Sequence, residues 1–147
     1  MSVYGKCKLI SNQIASIYDP SGIKDVIKNW VADDWSVGFS VGGANNDEIF
    51  VSTAGIYRYD LTMVGTFNGG TNDGIEYKLK DNSGNIIDCG CSYNGNGNIN
   101  IGNISGLLKV TDVSNGFKIH GFMNDDRGTW RKDLEGYRCS FSLQLIN

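Results

Sequence analysis

Alternation of apolar and polar residues with a period of two constrains this chain more than any other feature, because it fits a half-buried strand and not a helix. Over residues 55–64 the odd positions carry Tyr57, Tyr59, Leu61 and Met63, while the even ones include Arg58, Asp60 and Thr62. From Gly74 the pattern repeats, with Ile75, Tyr77 and Leu79 opposite Glu76, Lys78 and Lys80, and ends at the turn-forming run Asp81, Asn82, Ser83, Gly84. Phe117, Ile119 and Met123 alternate with Lys118, His120 and Phe122, and Cys139, Phe141, Leu143 and Leu145 alternate with Arg138, Ser140, Ser142 and Gln144. Further strands are expected at 3–10, 35–41, 48–53, 85–91, 98–104 and 106–113. About ten short strands separated by Gly and Asn predict an all-β antiparallel sandwich or barrel.

Residues 23–30 depart from this period. Ile23, Val26, Ile27 and Trp30 have helical spacing after Pro20, Ser21 and Gly22, so a short helix is as well supported there as an irregular connection. Four Asn-Gly dipeptides, beginning at Asn68, Asn94, Asn96 and Asn115, favour hairpin turns in which both residues accept positive φ. In the run 94–103 a loop enters a strand: Ile99 and Ile101 share a face, and Ile104 continues the element beyond a bulge at Gly102.

At 147 residues and 16.0 kDa the chain has the size of one domain, spanning 1–147. Its 40% hydrophobic and 11% aromatic content excludes a disordered chain, and 20 Gly against one Pro without a three-residue period excludes collagen. A formal charge of -3 offers no general attraction to phosphate backbones or anionic lipid, so neither nucleic acid nor membrane insertion is expected. No apolar run approaches the roughly 18–20 residues that cross a bilayer. The segment Met1 to Lys8 lacks the apolar region of a secretory signal, which implies a product retained in the cytoplasm.

Cys7, Cys89, Cys91 and Cys139 match none of the common zinc spacings, and reduced, buried thiols are the expected state. On a strand, Cys89 and Cys91 share a face and could act together on a metal or as a redox pair. His120, the sole histidine, sits near Lys118 on the polar face of its strand, where solvation is expected. Nucleophile-elbow, phosphate-loop and dinucleotide fingerprints are absent, and no spacing joins Asp125, Asp126, Arg127 and His120 into a catalytic set. Residues 43–48 could offer oxygens to calcium but lack the spacing of a calcium loop; solvated acids are the expectation there and at Asp33, Asp34, Asp125 and Asp126. No catalytic residue, cofactor or metal is therefore assigned. The segment 124–131 places Trp130 between Arg127 and Arg131, the residue types that dominate interface hot spots, so these three form the candidate ligand or partner loop, against the alternative that they cap the sandwich. Trp30 and Trp35 are expected in core or strand-end packing.

The runs at 50–59 (with Gly55, Ile56, Tyr57, Arg58, Tyr59), 104–110, 115–119 and 140–146 together resemble the tumour necrosis factor and complement globular-head superfamily. Leu143 stands where that family usually has a terminal Gly, and Phe117 where an acid often follows the turn Gly. The resemblance implies a ten-stranded jelly roll of two antiparallel sheets with first and last strands adjacent, Cys7 and Cys139 on neighbouring strands, and a homotrimer. Its threefold axis would face the sheet that holds the first, last and Gly-x-Tyr strands. Either a wet axis is lined by the rather polar set Ile56, Arg58, Asp60, Thr62, Val64, Arg138, Ser140, Ser142, Gln144 and Ile146, or Tyr57, Tyr59, Leu61, Phe141 and Leu143 point to it; the second assignment is preferred as the trimer interface.

Three function classes follow. By analogy with jelly-roll trimers in viral particles, the first is a non-enzymatic virion module, a bacteriophage capsid decoration protein or the receptor- or glycan-binding head of a fibre. Its partners would be the major capsid or other virion proteins, or a host surface protein or glycan, and it would assemble in the host cytoplasm. The second is a secreted cytokine-like or complement-like binding protein, which requires export. The third, a hydrolase on the same frame, needs two acids about 5–9.5 Å apart in a groove.

Overall fold

Extended backbone makes up the computed structural model, which describes residues 2–14, 26–66, 73–94, 99–123, 128–132 and 139–146. Its strands are β1 (Tyr4–Leu9), β2 (Gln13–Ile14), β3 (Trp30–Ala32), β4 (Phe39–Gly42), β5 (Glu48–Val51), β6 (Gly55–Thr66), β7 (Asp73–Asp81), β8 (Ile86–Asn94), β9 (Ile99–Val110), β10 (Phe117–Met123), β11 (Thr129–Trp130) and β12 (Ser140–Leu145). They form two antiparallel sheets. One runs β2-β11-β6-β12-β1-β3 with β9 on the other side of β6, and the second runs β4-β5-β10-β7-β8. The long β6 organises the first sheet: β9 pairs with all of it from Gly55 to Thr66, while β12 and β11 divide its opposite side. First and last strands are adjacent, with Cys7 opposite Phe141.

The alternation in the sequence becomes the division between core and surface. Leu9, Tyr57, Leu61, Met63 and Phe141 of the first sheet meet Ile49, Ile75, Tyr77, Leu79 and Ile119 of the second, all fully buried. Each fully buried large side chain contributes about 1.5–3 kcal/mol relative to exposure, which is how a sandwich of short strands holds together. Cys7 in β1 and Cys139, the residue before β12, are buried in this interior as free thiols. Burial raises both thiols, that of Cys139 to about 12, so they are chemically quiet.

One open choice is decided and two local expectations are corrected. Residues 26–30 are not helical: Val26 bridges His120, the Ile27 N–H donates to the Ile119 carbonyl, and Asn29 has φ 62; residues 23–25 lie outside the described part. The break expected near Gly102 and Ser105 is absent, since 99–110 pairs with β6 without a register shift. Glycine is needed at 102 and 106 because the rings of Tyr77 and Tyr59 lie where a Cβ would stand. At Asn115-Gly116 positive φ is not used; the Asp112 carboxylate builds that turn by accepting from the N–H and the hydroxyl of Ser114. The Asn-Gly dipeptides at Asn68 and Asn96 fall outside the described residues.

Candidate functional site

The outer face of the first sheet is built by the positions that alternate with its core. Strand pairing sets them in rows: Leu107, Arg58, Gln144 and Tyr4 in one, Ser105, Asp60, Ser142 and Lys6 in the next, Asn103, Thr62, Ser140 and Lys8 in the third. A groove of about 760 Å³ opens along the first two rows, with Arg58, Asp60, Gln144 and Ser142 among its lining. Leu107 forms one wall and is 61% exposed; the other wall is Tyr4 stacked on Trp35 at 5.9 Å between ring centroids, with Trp35 54% exposed. Val37 and Ile146 extend the exposed apolar set.

Polar groups in the groove are unevenly satisfied. Asp60 accepts from Asn103 Nδ2 at 3.0 Å, and the same amide reaches Thr62 Oγ1 at 3.0 Å and the Leu61 carbonyl at 3.2 Å. Lys8 pairs with Asp33 at 3.5 Å. Arg58, exposed in the middle of the first row, forms no ion pair with a described residue. An unpaired guanidinium beside exposed Tyr and Trp rings brings together the residue types enriched in interface hot spots.

The assignment of Tyr57, Tyr59, Leu61, Phe141 and Leu143 to a trimer interface is corrected by this arrangement. All five are buried within one chain, because they face the second sheet, and the polar set looks outward. Tyr57 donates to the Thr53 carbonyl at 2.6 Å, and Tyr59 donates to Asp88 Oδ2, crossing from one sheet to the other. Burial first, then the Asp88 hydrogen bond and charge, raise the Tyr59 hydroxyl to about 12. The fold therefore favours the protonated phenol, and this contribution is complete below about pH 10 and disappears as pH rises through about 12. Unfolding measured at a series of pH values should show Tyr59→Phe less stable than the parent by about 1.5–3 kcal/mol at neutral pH, with the gap closing above pH 10. A gap constant to pH 12 would contradict the cross-sheet bond.

The second assignment, a partner loop of Arg127, Trp130 and Arg131, is corrected at its centre. Trp130 is 1% exposed in β11, with its ring over Gly121, where a Cβ would stand 2.6 Å from it. Arg131 is half-buried, and Arg127 lies outside the described residues. His120 is buried instead of solvated, because the segment at Val26 and Ile27 pairs with its strand. Of the core or strand-end packing expected for the two, Trp30 takes the core, whereas Trp35 stays exposed and stacks on Tyr4 at the start of β1. Cys89 and Cys91 are exposed, against the expectation of burial. Residues 43–47 form the β4–β5 turn and Glu48 opens β5, and the carbonyls of Asn45 and Asn46 accept from the N–H groups of Asn29 and Trp30. Asp125 and Asp126 lie outside the described residues, and no group of three His, Cys, Asp or Glu side chains suited to a metal ion occurs among those described.

Sequence reasoning missed Leu107 and the Tyr4–Trp35 stack. The signal was present in β9, where Leu107 interrupts the polar series Asn103, Ser105, Lys109 on the outer face.

No family model matches the sequence, and no curated protein does. Solved structures do. Eiger TNF from S. frugiperda aligns with 99% of this chain and 93% of its own at a TM-score of 0.65, with 11% identity. This chain has a TNF-like jelly-roll fold. Murine APRIL is similar over 99% of this chain and all of its own, at a TM-score of 0.61 and 13% identity. At that identity the likeness carries the path of the chain and not its chemistry, which has to be argued from the groove.

Proposed function

We propose that this TNF-like jelly roll is a non-enzymatic structural and binding module that works as a homotrimer, assembled through the outer face of its first sheet. The observation that carries the reading is the groove: Leu107, Tyr4 and Trp35 exposed around an unpaired Arg58 on one otherwise polar sheet face. A closed ring of three needs two different patches per subunit, and β9 with Leu107 and Ile101 is one while the Tyr4–Trp35 wall is the other. Arg58 and Asp60 are charges of opposite sign two residues apart, so an adjoining copy can pair with both. A stable contact needs about 800 Å² from each partner.

The finer reading is that the trimer decorates a bacteriophage capsid. Four free thiols, two of them exposed, support assembly in a reducing cytoplasm. The likeness to Eiger TNF supports the second reading, a secreted binding protein. Antibody raised against the chain separates the two. Gold label at regular positions on phage particles from cultures that express the chain is the expected result; label recovered only as free protein in the medium would overturn the virion assignment.

A further inference from the structure

Cys89 and Cys91 lie on β8, the free edge strand of the second sheet. Gly90 between them pairs with Tyr77 and faces the core, where a Cβ would stand 2.5 Å from the Tyr77 hydroxyl. The two cysteines therefore point to the opposite, outer face, beside Lys78 and Glu76, and both are exposed and free. Residues two apart on a strand are separated by about 6.8 Å. A disulfide needs Cβ atoms about 3.8 Å apart, so these two cannot close on each other without moving the backbone. A single cation held by two thiolates at about 2.3 Å each places the sulfurs about 4.6 Å apart when linear, within reach of side-chain rotation on an unchanged strand.

We propose that Cys89 and Cys91 form a two-coordinate site for one soft monovalent cation of the Cu(I) class. Among the described residues no third His, Cys, Asp or Glu completes a metal-binding group with the two sulfurs, Glu76 included, which suits such an ion, whereas zinc takes four ligands. On binding, two S–H bonds break, two S–Cu bonds form, two protons leave to solvent and the metal stays Cu(I). The site is on the sheet opposite the groove and does not depend on the trimer.

The test is anaerobic titration of the whole chain with Cu(I) against a chromogenic Cu(I) chelator. One ion per chain is expected, with both exposed thiols then protected from iodoacetamide. Cys89→Ser and Cys91→Ser should each weaken binding on the order of 100-fold, the effect of losing one arm of a chelate. Near-UV circular dichroism of each variant should match the parent, since neither side chain is in the core. Retained affinity in either single variant would overturn the chelate, as would Zn(II) binding as tightly as Cu(I) or the absence of a stoichiometric complex.

Discussion

Trp130→Ala should lower the unfolding free energy by about 3–5 kcal/mol, the range for deleting a large aromatic from a packed core. The ring bridges the two sheets: β11 holds its backbone against Gly65 of β6, and the indole lies over Gly121 of β10. Removing it leaves a void that Gly121, having no side chain, cannot fill. The complementary change, Gly121→Ala, pushes a methyl into the ring and should cost about 1–3 kcal/mol by overpacking. Because they share one contact, the two losses should not add, and urea unfolding of the double variant measures the shortfall. A Trp130→Ala variant as stable as the parent would return Trp130 to the surface and contradict the packing described here.

Leu107→Asp should convert the assembly to monomers while leaving each chain folded. The side chain is 61% exposed in a single chain, so the substitution removes little from the core, and surface changes of this kind are usually within about 0.5 kcal/mol. At the proposed interface it would replace an apolar contact by a carboxylate in every copy, and that carboxylate, set opposite Arg58 of its own chain, would also take the guanidinium away from the adjoining copy. Arg58→Glu should weaken assembly too, by setting two like charges side by side with Asp60 on β6. Sedimentation velocity distinguishes the outcomes. If Leu107→Asp sediments as the parent does, the groove is not where copies meet.

Much of this fold is legible in the sequence because period two survives in β6, β7 and β12: Tyr57 to Met63, Ile75 to Leu79 and Phe141 to Leu145 all alternate as they pack. Which face turns inward is less legible. Ile56 and Val64 share the polar face of β6, and the choice is made by the second sheet, whose Asp88 meets Tyr59 across the core. Trp130 sits in a strand of two residues followed by a charged one, Arg131, too short for any period, and its burial depends on a glycine in β10. His120 is covered by Val26 and Ile27, a pairing that no local pattern announces. Gly102 reads as a bulge from its neighbours alone, whereas the ring that requires it comes from β7.

The native mass of the purified chain, measured by light scattering under reducing conditions at two concentrations about a hundredfold apart, tests the central claim most directly. Three copies of the 16.0 kDa chain, about 48 kDa at both concentrations, are expected of a closed ring that buries Leu107 and the Tyr4–Trp35 wall. A mass of 16.0 kDa at both would contradict assembly through the groove.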